Sequence, residues 1–269
     1  MLSRGNTQIN GWIKQQYERF IFKTIGSPLF FRRIEHHQIL KWLDPNENER
    51  ILDVGCSRGG LILNISLKSH HTYGIDLAVK DIEWAQRFAQ SLGLDCAFTV
   101  GNAEALPYPN NFFDKVICSS ALEHFEKDTT ALNEMSRILK PGGVLILTVD
   151  SFTYPIDEEW KARHKRMFGV EHYYDRNELQ TRLAASGFEM VRSKYILHSP
   201  VATYFLKKHI KHVNNFFLAT VSSLIAYPPV LLFEKLSDDA PQGYTLLGEG
   251  KKNRKRMISQ KASWNRVLA

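Results

Sequence analysis

Ile51-Leu52-Asp53-Val54-Gly55-Cys56-Ser57-Arg58-Gly59-Gly60 runs from a short apolar segment straight into a glycine turn and the start of a helix. A polar turn, Asp44-Pro45-Asn46-Glu47-Asn48-Glu49, precedes it, so the apolar segment reads as a buried strand bounded on both sides. Glycines let backbone approach a ligand closely at the carboxyl end of such a strand, which is where open α/β sheets bind ligands. Asp76 ends the next strand pattern, twenty-one residues after Gly55, where a carboxylate can accept hydrogen bonds from ribose hydroxyls. A dinucleotide would use both features equally well. The full Gly-x-Gly-x-x-Gly fingerprint is absent, however, because Ser57 stands at the second glycine position.

Outward from this stretch, strand and helix signals alternate. The spacing predicts strands over 51–54, 72–76, 96–100, 113–118 and 144–149. It predicts helices from Gly59, over 79–92 with Gly93 closing it, and over 128–139 with Pro141-Gly142-Gly143 stopping it. A helix over 176–186 and a strand over 188–197 extend the series. Such alternation implies a mostly parallel sheet of seven strands covered by helices on both faces. Two leading helices, Gln8–Ile25 and Arg33–Leu43, are broken by Gly26-Ser27-Pro28. Residues 199–240 interrupt the rhythm with an apolar helical insertion before a last strand at Gly243–Gly248. The expected organisation is an N-terminal helical cap (1–45), a ligand-binding core (46–198), the insertion (199–240), the final strand (241–250) and a basic tail (251–269).

A chain of 269 residues with 43% apolar composition buries one sizeable core, so one elaborated domain suffices. The net charge of +7 is unevenly spread: residues 51–150 carry eight basic and twelve acidic groups, residues 151–269 nineteen and eleven. Basic flanks can meet anionic lipid headgroups, nucleic acid or solvent. Three separated cysteines, with no Cys-x-x-Cys pair, suggest neither a disulfide framework nor a zinc site, and no metal is expected. With no secretory signal pattern at residues 1–7, a cytoplasmic location is expected, with peripheral membrane contact as its variant.

Four ordered motifs then specify more. Together with the glycine turn, Gly101-Asn102-Ala103-Glu104-Ala105-Leu106-Pro107-Tyr108, Phe112-Phe113-Asp114-Lys115-Val116-Ile117 and Met135 to Gly143 resemble the type 11 class I S-adenosylmethionine-dependent methyltransferases. The resemblance is close over about residues 50–150 and looser over 170–197. It implies a Rossmann-like class I fold with S-adenosylmethionine as cofactor. It also implies that Asp53 and Gly55 border the methionine portion, Asp76 and Leu77 the ribose, and Asn102 with Ala103 the adenine. The turn amides near Cys56 to Gly59 would face the methionine carboxylate, and Ser119 the donor's reactive end. Two positions depart from the pattern: Ser57 stands where glycine is usual, and Asn102 where aspartate is usual. An asparagine oxygen still accepts a hydrogen bond from an adenine amine, without charge assistance.

Methyl transfer from a sulfonium is a direct displacement that needs alignment and exclusion of water rather than a universal catalytic residue. Should the acceptor lose a proton, His124 in Ala121-Leu122-Glu123-His124-Phe125 is the candidate base, a packing role being the alternative. His164, His172, Tyr173 and Tyr174 fall in the connection that borders the acceptor side in this fold. No Pro-Pro-Tyr motif of amino-group methyltransferases follows the fourth strand, and Cys118 follows isoleucine rather than proline. An oxygen or carbon acceptor on a small hydrophobic or lipid-like molecule is therefore expected. The insertion fits that reading: Leu206, Ile210, Val213, Phe217, Val221 and Leu224 form a stripe at helical steps beside Lys207, Lys208 and Lys211, either a lid or an interfacial membrane contact. RNA methylation, motivated by the basic flanks, and a catalytically inactive donor-binding module, motivated by Ser57 and Asn102, are the rival readings.

Overall fold

The structure, a computed structural model, describes Gln16, Arg19, Phe20, Phe22, Ser27 and residues 29–209, 216–236 and 240–253. Its centre is β1 (Arg50–Val54), whose apolar residues are shielded on both faces. Parallel neighbours β2 (His71–Asp76) and β4 (Phe113–Ser119) flank it, with Val54 opposite Ile75 and Asp53 opposite Ile117. Adding β3 (Cys96–Val100), β5 (Leu139–Asp150), β6 (Phe188–Ile196) and β7 (Thr245–Lys252) gives seven strands in the order β3-β2-β1-β4-β5-β7-β6. Only β7 among them runs antiparallel to both its neighbours. Chain order reverses between β1 and β4, and a cleft opens there beyond the carboxyl ends of the strands.

Alternation along the strands divides the core in two. Leu52, Val54, Val116 and Cys118 point to the face covered by α4 (Asp128–Ile138) and α6 (Arg176–Ala185). Ile51 and Ile117 point to the face covered by α1 (Phe30–Leu43), α2 (Gly60–Ile65) and α3 (Val79–Leu92). This is the expected layering, with α3 closed at left-handed Gly93. β5 begins at Leu139 rather than at 144, across a register shift between Phe113 and Lys115.

Three expectations need correction. The leading helical cap is described from Phe30, three residues earlier than predicted, while the helix expected at Gln8–Ile25 falls largely outside the described residues. The insertion is two helices, α7 (Pro200–His209) and α8 (Phe216–Leu236), with α5 (Glu158–Phe168) lying before α6. Its apolar stripe does not all face inward: Leu206 is buried, but Val221 and Leu224 point to solvent, and Ile210 and Val213 lie outside the described residues. The inner face of α8 instead carries Thr220, Ser223, Ala226, Val230 and Glu234. Small side chains bring α8 close to α1, where Ser223 Oγ accepts the Phe30 N–H at 3.0 Å and so caps α1 from a distant helix. Glu234 likewise accepts the buried N–H groups of Leu197 and His198 at 2.8 and 3.0 Å. The basic tail also starts later than residue 251. Lys251 and Lys252 belong to β7, and Lys252 Nζ bonds Asn111 Oδ1 and Leu139 O at 2.9 and 2.7 Å.

The cap on α1 generates a prediction. Ser223→Ala removes the Oγ that accepts the Phe30 N–H and should cost about 1–2 kcal/mol. A fall in the urea midpoint with an unchanged slope checks it; an unchanged midpoint refutes it.

Candidate active site

The turn after β1 is built to bring backbone close to something. Gly55 has φ 75°, and an added Cβ would stand 2.5 Å from the Ala121 Cβ. Its N–H and that of Cys56 both donate to Ile75 O, at 2.9 and 3.1 Å. Ser57 follows with φ 47°, a left-handed conformation that favours glycine. Local bonds hold it there: the Ser57 N–H donates to Asp76 Oδ2 at 2.8 Å and its hydroxyl to Asp81 Oδ2 at 3.0 Å. Asp76 therefore does two jobs, tying the turn through one oxygen and accepting the Ala78 N–H at 2.8 Å through the other.

Beside this turn lies a cavity of about 300 Å³, lined by Val54, Gly55, Ser57, Ile75, Asp76, Leu77, Gly101, Ala103, Ser120, Ala121, His124 and Phe125. Of the nine residues expected at the donor, Gly55, Asp76, Leu77 and Ala103 line it. Asp53 and Cys56 are buried. Burial, with the charges of Asp76 and Glu35, pushes the Asp53 carboxyl up to about 8. Gly59 caps α2, where a Cβ would meet the Phe98 ring at 2.7 Å. Asn102 Oδ1 accepts the Glu104 N–H at 2.9 Å and shapes the turn after β3. Ser119 points elsewhere, its hydroxyl donating to Glu35 at 3.0 Å. Ser57 lies in the turn whose amides the sequence reading placed at the donor, whereas Val54, Ile75, Gly101, Ser120, Ala121 and Phe125 were missed as lining residues although each lies in or beside a strand or motif it had found.

A second cavity of about 120 Å³ shares Ser120 and His124 with the first. Its lining combines apolar Leu29, Phe31, Phe168 and Leu206 with polar Arg32, Glu35, Glu123, Asp150, His164 and Tyr244. Glu35 is the hub: it takes the hydroxyls of Ser119, Ser120 and Thr148 on one oxygen and the Arg32 guanidinium on the other at 2.7 Å. Burial alone would raise its carboxyl, but Arg32, His36 and those hydroxyls hold it down at about 2. Glu123 and Asp150 have no such company, and burial pushes both carboxyls well up. His164 is held neutral by burial, at about 4, between the hydroxyls of Tyr244 (2.6 Å) and Tyr173 (3.1 Å).

His124 stands where the cavities meet. Its Nδ1 lies 3.1 Å from Gly169 O, and since a carbonyl only accepts, Nδ1 carries the proton and Nε2 is left as acceptor. Of the other connection candidates, His164 lines the second cavity, His172 pairs with Glu178 at 2.7 Å and Tyr174 donates to Asp128 at 2.6 Å. Arg32 and Glu35 were invisible to the sequence reading, because α1 reaches this site only through tertiary packing. Among the described residues no group of His, Cys, Asp and Glu is arranged to hold a metal ion.

Comparison with known proteins places this geometry. Residues 52–147 match the family model described as a methyltransferase domain. A Bacillus subtilis protein named as an uncharacterized methyltransferase, YcgJ, is 33% identical over 50% of this chain and 54% of its own length. The chain thus spans about half the length of that relative. A ubiquinone biosynthesis O-methyltransferase of Brucella anthropi is 26% identical over 65% of this chain and 74% of its own. Among solved structures, a phosphoethanolamine N-methyltransferase of Haemonchus contortus, determined with phosphomonomethylethanolamine and S-adenosylhomocysteine, superposes with a TM-score of 0.61 at 18% identity. That superposition covers 81% of this chain and 52% of the other.

The strained serine carries a testable expectation. Ser57→Gly relieves the left-handed strain while losing one exposed hydrogen bond, so stability should stay within about 1 kcal/mol of wild type. Ser57→Val puts a β-branched residue at positive φ and should cost about 1–3 kcal/mol. Equal thermal unfolding of the two variants would contradict this account.

Proposed function

We propose that this chain, whose residues 52–147 match the methyltransferase-domain family, is a class I S-adenosylmethionine-dependent methyltransferase that methylates an oxygen or carbon atom of a small, amphipathic acceptor. The observation that carries the reading is the pair of adjoining cavities, one walled by the glycine turn and Asp76 and the other lined by both apolar and charged side chains.

The first cavity fits the donor. Gly55 leaves a space that a side chain would close against Ala121, and Asp76 stands at the end of β2 for the ribose. Leu77 and Ala103 would flank ribose and adenine, and Ser57 would supply a turn amide toward the methionine carboxylate. Asn102 would meet the adenine from the turn it caps, whereas Asp53 and Cys56 would act from beneath the turn, Gly59 by capping α2, and Ser119 through Glu35. The donor supplies an electrophilic methyl on a sulfonium; alignment and water exclusion fall to the protein. Leu206 of α7 and Phe31 line the second cavity as apolar residues, which supports the lid reading of α7. His124, with Nε2 free beside both cavities, is the base we propose for an acceptor that loses a proton.

The experiment is calorimetry with S-adenosylmethionine and S-adenosylhomocysteine, followed by a labelled-methyl assay on extract separated into lipid, RNA and protein. Both ligands should bind, and Asp76→Asn should weaken them roughly ten- to a hundredfold. Label should enter the lipid or small-molecule fraction, and His124→Ala should slow that transfer about a hundredfold or more with donor affinity intact. Label in RNA would favour the rival acceptor, and binding without transfer the inactive module.

A second reading concerns the outer face of the insertion. Val221, Leu224, Ile225 and Leu232 of α8 are exposed, as is Tyr204 of α7 beside Lys208. Among the described residues no helix is long and apolar enough to cross a membrane, so this face would lie on an anionic lipid surface rather than span it. Apolar insertion supplies most of such binding and each lysine about 1 kcal/mol. Wild type should therefore float with anionic vesicles, less so at high salt, and Leu224→Asp/Ile225→Asp should not. Flotation of both proteins alike, or of neither, sinks the membrane reading.

A further inference from the structure

The polar wall of the second cavity holds a feature that methyl transfer to a neutral hydroxyl or carbon does not use. Glu123 is 1% exposed; its Oε1 accepts the Asp150 N–H at 3.2 Å, and among the described residues its Oε2 has no partner at all. Asp150 is 7% exposed, and among the described residues no hydrogen bond reaches its carboxylate. His164 Nε2 lies 3.7 Å from Asp150 Oδ2 but takes the Tyr244 hydroxyl at 2.6 Å instead. Arg32, the guanidinium facing both acids, is already bound to Glu35 at 2.7 Å. Native proteins rarely leave buried carboxyl oxygens without donors, because each costs the full desolvation of the group. The free oxygen of Glu123 and the unbonded carboxylate of Asp150, both lining this cavity, leave a place for a further charged donor beyond the engaged Arg32.

We infer that Glu123 and Asp150 form a subsite for a positively charged amine, so that the acceptor bears a basic nitrogen at its polar end and an apolar body against Leu206 and Phe168. The inference rests on the proposed function and names the class of molecule that fills its acceptor cavity. It concerns what holds that molecule, not which atom receives the methyl. An ammonium group carries several N–H donors and a charge, so it can satisfy the free oxygens of both acids at once. A hydroxyl has one proton to give and brings no charge against the mutual repulsion of the two acids.

The protonation chemistry follows from that repulsion. Burial raises both acids, the charge of Glu35 adds to this at each and that of Glu123 at Asp150, so without a cation the pair keeps a proton at neutral pH. Several groups face the pair: Arg32 and Glu35 from α1, His124 from the turn after β4, and Tyr173 from the connection before α6. Arg32 favours ionisation of both acids and His124 that of Asp150, while Glu35 opposes it. An arriving ammonium takes the place of the retained proton, which passes to solvent. Binding should accordingly tighten as pH rises through the range in which the pair loses that proton, until the amine itself loses its charge.

Calorimetry on the protein saturated with S-adenosylhomocysteine tests this with three probes of matched body: hexylamine, hexanol and hexane-1-sulfonate. Hexylamine should bind roughly ten- to a hundredfold tighter than hexanol, and the sulfonate not at all. Repeating the titration in buffers of different ionisation enthalpy should show about one proton released per hexylamine bound and none per hexanol. Glu123→Gln should lower the release to near zero and weaken hexylamine, while S-adenosylhomocysteine affinity stays within a factor of about two. Asp150→Asn provides the same readout should Glu123→Gln fail to fold. Hexylamine and hexanol binding alike, or proton release that persists in both variants, overturns the amine subsite with the donor reading intact. Failure of S-adenosylhomocysteine to bind wild type overturns the donor reading, and this inference with it.

Discussion

A single buried carboxylate ties the molecule's parts together at the place where they must meet. Glu35 comes from α1, and its hydroxyl partners come from the ends of β4 (Ser119, Ser120) and β5 (Thr148). A lone buried carboxylate is costly, so these bonds and the Arg32 pair are needed to keep it there. Once kept, it anchors the cap helix over the carboxyl edge of the sheet. α8 then reinforces the arrangement by capping α1 through Ser223, and α7 sets Leu206 over the cavity beneath. Loss of this anchor would free the helix that supplies one wall of the second cavity.

The two cavities differ in what their walls ask for. Around the first, the turn after β1 presents backbone, a small residue and the Asp76 carboxylate, a combination suited to a ribose and an amino-acid carboxylate rather than to one charge. Around the second, the acids divide by environment. Glu35 is surrounded by donors and stays ionised, whereas Glu123 has one backbone donor, the Asp150 carboxylate has none, and both hold a proton more strongly. Three carboxyl groups of one cavity thus have two distinct electrostatic characters, set by their neighbours alone. His124 joins the cavities, with its tautomer fixed by the Gly169 carbonyl.

Much of this was legible along the chain. The switch from strand to glycine turn at Val54-Gly55 gave the cleft, the alternation of periods gave the parallel sheet with helices on both faces, and α3 and β3 fell at their predicted limits. Gly55 and Asp76 could be placed at the cleft because each closes or follows a strand, where local pattern and ligand position coincide, and Leu77 and Ala103 through the family resemblance. Where pattern and environment separate, reading failed. The stripe drawn through Val221 and Leu224 followed hydrophobicity, but close approach of α8 to α1 selects small side chains, so Thr220, Ser223 and Ala226 face inward.

Sequence by itself determined the layers and the strand edge at which ligands bind, because both follow from short-range periodicity and from glycine's freedom at positive φ, while the methyl-donor reading of the turn came from the resemblance to a known family. Tertiary structure alone decided the acceptor side. Arg32 and Glu35 lie far along the chain from Glu123, Asp150, His164 and Tyr244, and no spacing rule relates them. Their meeting depends on how α1 crosses the sheet and how the insertion roofs it. The resulting protonation states depend on burial and on which donors happen to be near, which are properties of an assembled site.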